Sequence, residues 1–259
     1  MKTNDLSVVL NLPNTGVIIT GGASGIGLAS AQALAAIGRP VAIWDINLEK
    51  AEVAAKTIKA DYGVNTIGIH IDLTDLKLYD EAIERSRKAI GTIGGLVHSA
   101  GTVDTGSLEG ITEETWDSSI NVHLRPLAFL VQKLYQDFAS NPDSAIVTIA
   151  SINATLGNTV NPIYSAAKGG MLSLVRSLAD RVAQDGIRIN SVSPGQIQTP
   201  MISPEIQAAS DLFSKRILLQ RLGEPEEIGR VVRFLLSKEA SYITASEVVV
   251  DGGNISSQR

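Results

Sequence analysis

The segment Thr20-Gly21-Gly22-Ala23-Ser24-Gly25-Ile26-Gly27 decides the fold, because it joins a short apolar run to a helical pattern. The run from Gly16 to Thr20 predicts a buried strand, and helical periodicity begins near residue 25. Glycines at such a junction let the backbone turn sharply and approach a pyrophosphate, which the helix N-terminus attracts. The spacing differs from the common G-x-G-x-x-G pattern, so a tight turn without a ligand is the alternative. The residues predicted to bind the pyrophosphate are Gly21, Ser24, Gly25, Ile26 and Gly27.

Short β-branched runs alternate with longer segments of helical periodicity, which is typical of βαβ units around a parallel sheet. The predicted strands are Gly16 to Thr20, Val41 to Asp45, Thr66 to Ile71, Leu96 to Ser99, Ala145 to Ala150, Ile187 to Val192 and Glu247 to Val250. The predicted helices lie near residues 25 to 37, 48 to 60, 75 to 90, 112 to 139, 163 to 184 and 224 to 236. With no linker to divide the chain, the sequence predicts a single α/β domain over residues 1–259. This domain is a doubly wound, Rossmann-type parallel sheet of about seven strands with helices on both faces.

Composition and charge exclude several classes of function. The chain has 27 acidic and 22 basic residues, a net charge of -5, and neither sign forms a block that would suit nucleic acid. No apolar run approaches the length of a membrane span, so we predict a cytoplasmic protein with neither nucleic-acid nor membrane partners. The lack of cysteine excludes disulfides and zinc-thiolate sites. The three histidines have no metal-binding spacing, so we predict no metal.

An acidic residue ends the second predicted strand. Asp45 follows Gly27 at nearly the spacing of about 20 residues at which a carboxylate binds the adenosine ribose of a dinucleotide. Such a carboxylate accepts hydrogen bonds from the ribose hydroxyls and repels a 2'-phosphate, so it favours NAD as the cofactor over NADP. A helix-capping aspartate is the alternative. Arg39, the nearest candidate for a phosphate clamp, lies before this strand, about 20 Å from Asp45.

Two further strand ends point to the same edge of the sheet. Asp72 follows the third predicted strand, where its carboxylate can accept a hydrogen bond from the adenine amino group, although a simple turn role has nearly equal weight. After the fourth strand, the small residues Ser99, Ala100 and Gly101 leave room for a dinucleotide that crosses the sheet. A turn without any ligand contact is the alternative for these three residues.

A tyrosine and a lysine suggest the chemistry. Tyr164 and Lys168 are four residues apart in a helical pattern, so they share one face of the helix. A phenol is a poor base at neutral pH, but a lysine ammonium group beside it, with a positively charged nicotinamide nearby, lowers its pKa. The phenolate can then take the proton of an alcohol as hydride leaves. The pair alone is a weak motif, and Ser151 strengthens it, because a hydroxyl at the end of the fifth strand can hold the reacting oxygen.

The combination resembles the short-chain dehydrogenase/reductase family over about residues 14 to 253. The matching residues are the glycine pattern from Thr20 to Gly27, Asp45, Asn121 within Ile-Asn-Val, Ser151, Tyr164, Lys168, Pro194-Gly195, Ile197, Thr199-Pro200-Met201, Arg221-Leu222-Gly223 and Val250-Asp251-Gly252-Gly253. One departure is Ser99, where the family commonly has asparagine. We therefore expect the bonds that steady the centre of the sheet to be made differently or through water, with more effect on cofactor affinity than on chemistry.

The resemblance implies a role for each matching residue. Tyr164 is the general acid and base, and Ser151 polarises the substrate oxygen. Lys168 depresses the pKa of the tyrosine and binds the nicotinamide ribose, and Asn121 holds a water that links Lys168 to solvent. The nicotinamide itself is bound by residues after the sixth strand, namely Pro194, Gly195, Ile197 and Thr199. Family members usually pair two long helices across a subunit interface, so we expect a homotetramer or, failing that, a dimer.

The substrate side is less sharply defined by the sequence. The region at about 195–220 contains prolines and lacks a clear strand, so we predict a substrate lid there. Asn153 and Met201 are predicted to contact the substrate together with Ser151 and Tyr164. The neighbouring residues are mainly apolar, which favours a small-molecule secondary alcohol or ketone of apolar or alicyclic character.

The sequence favours an NAD-dependent short-chain alcohol dehydrogenase or ketone reductase. Two alternative functions remain open. A reductase of 3-oxoacyl thioesters would normally use NADPH and a basic docking patch, and Asp45 and the acidic charge balance argue against both. A non-catalytic dinucleotide-binding regulator is the second alternative. The intact set of Ser151, Tyr164 and Lys168 argues against a protein without turnover.

Overall fold

Seven parallel strands form one sheet in the computed structural model, which describes residues 7–201 and 215–256. The strands are β1 (Gly16–Thr20), β2 (Val41–Asp45), β3 (Thr66–His70), β4 (Ile93–His98), β5 (Ala145–Ile149), β6 (Arg188–Pro194) and β7 (Glu247–Val250). Their order in the sheet is β3-β2-β1-β4-β5-β6-β7, and every neighbouring pair is parallel. The order reverses between β1 and β4, and ligands of such sheets bind at this switch point, at the carboxyl ends of the strands.

Helices cover both faces of the sheet, so the predicted fold class is confirmed. They are α1 (Gly25–Ala35), α2 (Leu48–Tyr62), α3 (Tyr79–Ile90), α4 (Glu113–His123), α5 (Arg125–Ala139), α6 (Asn153–Leu156), α7 (Pro162–Ala183) and α8 (Pro225–Leu235). Short 3-10 turns span Leu76–Leu78 and Lys238–Ala240. Side chains of α1, α2 and α8 form a buried apolar cluster with one face, and those of α3, α5 and α7 form a second cluster with the other.

Two predicted boundaries were wrong. The pattern over residues 112–139 is two helices, because α4 ends at His123 and α5 begins at Arg125 with Pro126 in its first turn. Proline has no N–H to donate to the preceding turn and is favoured where a helix begins. Strand β4 begins at Ile93 rather than Leu96, since Gly95 belongs to the strand. A Cβ atom at Gly95 would lie only 2.9 Å from a methyl group of its neighbour Val17.

Helix α8 packs tightly on α1, and the carbonyl groups at its C-terminal end accept hydrogen bonds from two buried arginines of other segments. A Cβ atom at Gly229 of α8 would lie 2.6 Å from the backbone oxygen of Ala29 of α1, so the two helices approach at their backbones. Arg39 is 1% exposed and donates to the carbonyl of Leu236 at 3.0 Å. Arg188 donates to two further carbonyls at the end of the same helix. Positive side chains are stabilising at this negative end of a helix.

The predicted lid falls partly outside the described residues. Residues 202–214 are the middle part of the predicted lid and lie outside the described residues, so the lid stays a prediction. Within the ranges 7–201 and 215–256, no helix has the length and apolar character that crossing a membrane requires. The same two ranges hold no group of three or more histidine, aspartate or glutamate side chains placed to bind a metal ion.

Candidate active site

The glycine-rich loop between β1 and α1 has a backbone that only glycine adopts easily. Gly21 and Gly25 have φ angles of +62° and +50°, in the left-handed region. At Gly27 a Cβ atom would lie 2.1 Å from the carbonyl oxygen of Gly21. Ser24, at the N-cap of α1, makes no side-chain hydrogen bond to the first turn, and that turn contains no acidic residue. Helix N–H groups without such a cap suit a pyrophosphate, so the loop fits a dinucleotide. Ile26 packs on the core below.

Asp45 lies at the end of β2, next to this loop. Its Oδ2 accepts a hydrogen bond from the N–H of Ala23 at 3.2 Å, and its Oδ1 accepts from Asn47 at 3.0 Å. Helix α2 is capped instead by Asn47, whose side chain accepts from the N–H of Lys50 at 2.9 Å. Asp45 is therefore not the cap of α2. Its partly exposed carboxylate beside the glycine loop suits the hydroxyls of a ribose.

Asp72 follows β3 and forms a turn. Its Oδ1 accepts from the N–H of Thr74 at 2.8 Å and from the hydroxyl of Thr74 at 2.7 Å. The turn role that the sequence left open is therefore present. A contact between Asp72 and an adenine stays a prediction.

The centre of the sheet is steadied by His98, which sequence reasoning regarded as an ordinary scattered histidine. Burial lowers its pKa to about 4, so the imidazole is neutral. Its Nε2 donates to the carbonyl oxygen of His123 at 2.8 Å, and its Nδ1 accepts from the hydroxyl of Thr20 at 2.9 Å. The Thr20 hydroxyl oxygen in turn accepts from the N–H groups of Ser99 and Ala100, at 3.2 and 3.3 Å. These bonds use the backbone of Ser99, and a difference from the usual asparagine stays a prediction.

The three residues of the predicted chemical centre meet. Ser151 follows β5, is 8% exposed, and its hydroxyl lies close enough to the phenol of Tyr164 on α7 to lower the pKa of that phenol. Lys168, one turn further along α7, places its Nζ 5.5 Å from the centre of the tyrosine ring. This Nζ donates to the carbonyl oxygen of Ile149 at 2.6 Å. The arrangement provides two hydroxyl groups for one substrate oxygen and an amine beside them.

Burial is the largest influence on the ionisation of Tyr164 and Lys168. Burial raises the pKa of Tyr164, and the Ser151 hydroxyl only opposes this effect. Burial also lowers the pKa of Lys168 to about 7. Burial is the larger effect on the pKa of Tyr164. A lowering of this pKa by Lys168 with a positively charged nicotinamide nearby stays a prediction. A phenol that keeps its proton is suited to donating it to a carbonyl oxygen.

The segment after β6 meets the glycine loop. Pro194 ends β6, Gly195 follows it, and Ile197 is buried. A Cβ atom at Gly25 would lie 3.3 Å from the Cγ2 of Thr199. The residues predicted to bind the nicotinamide therefore lie beside those predicted to bind the pyrophosphate.

The remaining predicted residues surround the centre. Asn121 lies near the end of α4, which packs against α7. Asn153 begins α6; its N–H donates to the Oγ of Ser151 at 3.1 Å and its side chain donates to Asn161 at 3.3 Å. Met201 is 48% exposed. A water held by Asn121 and substrate contacts from Asn153 and Met201 stay predictions.

Sequence reasoning missed two residues that contact Tyr164. Asp104, in the segment after β4, accepts the backbone N–H of Tyr164 at 2.8 Å. His123 presents its ring edge-on to the tyrosine, with centroids 5.4 Å apart and planes at 85°. No local pattern marks either residue, since both contacts join segments that are distant in the sequence. The predicted residue Gly101 also lies against His123, since a Cβ atom at Gly101 would lie 2.4 Å from the His123 ring.

Comparison with known proteins gives a consistent result. Residues 21–254 match the family model described as enoyl-(acyl carrier protein) reductase. The chain is 33% identical over 236 residues to the 3-oxoacyl-[acyl-carrier-protein] reductase FabG of Thermotoga maritima, covering 91% of this chain and 96% of the relative. It is 32% identical over 248 residues to the probable galactose dehydrogenase GalD of Rhizobium meliloti, covering 94% of this chain and 96% of the relative.

Solved structures are also similar. An L-sorbose reductase from Gluconobacter frateurii, in complex with NADPH and L-sorbose, has a TM-score of 0.90 and 26% identity, covering 96% of this chain and 99% of the other. A short-chain type dehydrogenase/reductase from Mycobacterium marinum has a TM-score of 0.85 and 27% identity, covering 95% of this chain and 97% of the other. From the family model, the relatives and the shared fold, we conclude that this chain is an oxidoreductase of the short-chain dehydrogenase/reductase family.

Proposed function

We propose that this protein is an NAD-dependent oxidoreductase that interconverts a secondary alcohol and a ketone of mainly apolar or alicyclic character. The observation that supports this most strongly is the contact between the Ser151 hydroxyl and the Tyr164 phenol, with the amine of Lys168 next to the ring. The dinucleotide, when bound, supplies or accepts the hydride. The glycine loop and Asp45 have the geometry to hold it.

The residues of the centre act on the substrate oxygen. In the direction of reduction, the Tyr164 phenol, which carries its proton at neutral pH, donates it to the carbonyl oxygen. The Ser151 hydroxyl donates a second hydrogen bond to the same oxygen as negative charge develops there. In the opposite direction, Tyr164 takes the alcohol proton. Lys168 stabilises the phenolate once its amine is protonated.

The choice of NAD rests on charge at the ribose end. The carboxylate of Asp45 lies beside the glycine loop, where it repels a 2'-phosphate. Arg39 is buried and bonded to the carbonyl of Leu236, so it does not serve as a phosphate clamp. We therefore propose NAD for this chain, although the similar L-sorbose reductase was solved with NADPH.

The substrate class rests on exposed apolar side chains near Tyr164. Leu156 and Val160 lie between Ser151 and Tyr164 in the chain and are 59% and 50% exposed. Met201 begins the predicted lid. A reductase of 3-oxoacyl thioesters is the second candidate, because the chain is 33% identical to a FabG protein. The net charge of -5 argues against docking of an acidic carrier protein.

A single panel of assays tests this proposal. Oxidation is assayed with secondary alcohols, each with NAD and with NADP. Reduction is assayed with ketones and a 3-oxoacyl thioester, each with NADH and with NADPH. In every assay the absorbance of reduced nicotinamide is followed. We expect turnover of alicyclic or apolar alcohols with a clear preference for NAD, and a fall of roughly 100- to 10,000-fold in Tyr164→Phe with dinucleotide affinity preserved. Preference for NADPH would contradict the Asp45 argument. Preference for the thioester would select the second candidate, and normal turnover by Tyr164→Phe would remove Tyr164 from the chemistry.

A further inference from the structure

We propose that Asp104 is a positioning residue that holds Tyr164 in its working orientation; the inference rests on the function proposed above. Asp104 lies in the segment after β4, and its Oδ1 accepts the backbone N–H of Tyr164 at 2.8 Å. Sixty residues of chain separate the two. The bond therefore ties one segment at the carboxyl edge of the sheet to the residue that carries the reacting phenol.

Helix α7 has no side-chain cap of its own. Asn161, at its N-cap position, makes no side-chain bond to the first turn, and its amide oxygen accepts from Asn153 instead. Pro162 follows and has no N–H, so the N–H of Tyr164 is among the first of the helix that need an acceptor. By contrast, α2 is capped by its own Asn47. Asp104 supplies from a distant segment the acceptor, and the negative charge, that the start of α7 lacks.

The segment that carries Asp104 is itself fixed by His123. The Nε2 of His123 lies 2.8 Å from the carbonyl oxygen and 3.1 Å from the N–H of Thr102, two residues before Asp104. Burial lowers the pKa of His123 well below its usual value, so the ring is neutral. The same ring lies edge-on against the phenol of Tyr164. Asp104 thus holds the backbone of Tyr164, and His123 contacts its ring. Both residues are linked through the segment after β4, which carries Asp104 and contacts His123 at Thr102.

Loss of the Asp104 carboxylate frees the first turn of α7 and lets the phenol move relative to Ser151. Displacements of about 1 Å in a reacting group lower rates by about 100-fold. The glycine loop and Asp45 lie on other elements and keep their geometry. Removal of Asp104 therefore lowers kcat, leaves the Kd for the dinucleotide unchanged, and changes KM little.

The test compares Asp104→Ala and Asp104→Asn with wild type. The matched control is Asp75→Ala, which removes an aspartate that caps the N–H of Lys77 at 3.0 Å in the 3-10 turn before α3. We measure kcat and KM for the best ketone, the Kd for NADH, and amide hydrogen exchange in the first turn of α7. We expect kcat to fall at least about 10-fold in Asp104→Ala. In Asp104→Asn, whose amide oxygen still accepts the hydrogen bond, kcat should stay within about 3-fold of wild type. In Asp75→Ala it should be unchanged. Exchange at Tyr164 should be faster in Asp104→Ala only.

Several results would overturn the inference. An unchanged kcat in Asp104→Ala removes the positioning role, and an unchanged exchange rate at Tyr164 removes the contact. A parallel loss of kcat and of NADH affinity that Asp104→Asn does not recover indicates a merely structural residue. If Asp104→Ala does not fold, Asp104→Glu moves the carboxylate by one methylene and must show the same fall in kcat at unchanged Kd. If wild type shows no turnover but exchange at Tyr164 is faster in Asp104→Ala, the proposed function is refuted, whereas the role of Asp104 as an acceptor for the first turn of α7 is supported.

Discussion

Lys168 is buried, and no carboxylate of the described residues forms an ion pair with it. It is 3% exposed, and its Nζ is bonded to the neutral carbonyl of Ile149. The imidazoles nearby, His98 and His123, are neutral because burial and the charge of Lys168 lower their pKa values. An amine in these surroundings loses its proton near pH 7 instead of near 10.5. The fold therefore holds an ammonium group at a position that the chemistry needs and that burial disfavours.

Lys168→Met should stabilise the dinucleotide-free fold. Because the folded pKa of about 7 is below the ordinary 10.5, the unfolded chain binds more protons between these values. Burial of the ammonium group opposes folding fully below pH 7, and this effect disappears as the pH rises toward 10.5. After allowance for the lost bond to Ile149, we expect the free energy of unfolding to rise by roughly 1–3 kcal/mol at pH 6. Urea denaturation at pH 6, 8 and 10 should show a difference that shrinks with pH.

Lys56→Met is the control for this prediction, since Lys56 is an exposed lysine on α2. Its stability should track that of wild type at every pH. A Lys168→Met protein that is less stable than wild type at pH 6 would show that the amine is not destabilising where it lies. Turnover should be lost in Lys168→Met and kept in Lys56→Met.

At this scale the sequence predicts which residues meet but not how they ionise. Helical spacing places Tyr164 and Lys168 on one face, and a strand end supplies Ser151, so the trio is accessible from local patterns. The effect of burial on the tyrosine pKa was not predicted, because it depends on neighbouring elements. Asp104 and His123 were missed for the same reason. Their contacts with Tyr164 cross from the segment after β4 and from α4.

At the scale of elements, the buried arginines join the end of α8 to the sheet. Arg39 donates to the backbone oxygen and hydroxyl of Thr15 and to the carbonyl of Leu236. Burial, together with the charge of Arg188, lowers the pKa of Arg39 to about 9. The hydrogen bonds to carbonyl groups hold this charged side chain inside. Arg39 is therefore a structural residue of the α8 contact and not part of the ribose site.

Arg39→Ala should destabilise the fold and leave the choice of dinucleotide unchanged. The substitution leaves buried oxygens of Thr15 and Leu236 without a donor and opens a cavity, so we expect a loss of about 3 kcal/mol or more in the free energy of unfolding. Urea denaturation measures this loss. The ratio of kcat/KM for NADH and NADPH should equal that of wild type, and a shift of this ratio toward NADH would place Arg39 at the 2'-phosphate position instead.

Element positions were predicted better than element ends. All seven strands lie where β-branched runs predict them, because continuous apolar runs suit strands buried on both faces. The break between α4 and α5 was missed although Pro126 marks it. The early start of β4 was missed because Gly94 and Gly95 suggest a turn. Close neighbours from elsewhere in the chain explain glycine there. A Cβ atom at Gly94 would meet Thr15, just before β1, and one at Gly95 would meet Val17 of β1.

At the scale of the whole molecule, the site lies where the strand order reverses. Residues of the glycine loop come from the first part of the chain, and Ser151, Tyr164 and Lys168 come from the second. The parallel sheet brings these segments to one edge, and this convergence follows from the predicted topology. The homotetramer, the lid and the cytoplasmic location stay predictions, as does the single-domain boundary.

Binding of the dinucleotide should stabilise the whole fold, because it bridges segments from both parts of the sheet. At a concentration of 100 times its Kd, NADH adds about 2.7 kcal/mol to the free energy of unfolding. For a chain of this size we expect a rise in Tm of roughly 5–10 °C in a thermal melt. Gly27→Ala should lose most of this rise, since a Cβ atom there lies 2.1 Å from the oxygen of Gly21.

Gly169→Ala is the matched control for the thermal melt. The nearest atom to a Cβ at Gly169 is the oxygen of Ala154 at 3.4 Å, an ordinary contact, so the variant should keep the full rise in Tm. A full rise in Gly27→Ala would mean that the dinucleotide does not bind at the glycine loop.

The tight approach of α1 and α8 at Gly229 has a consequence for biosynthesis. Helix α1 precedes β2 to β6 in the chain and its packing partner α8 follows them, so α1 leaves the ribosome well before α8. A nascent chain that has emerged only as far as β6 therefore exposes the apolar face of α1. A chain that terminates before residue 225 lacks α8, so we expect proteases to remove it.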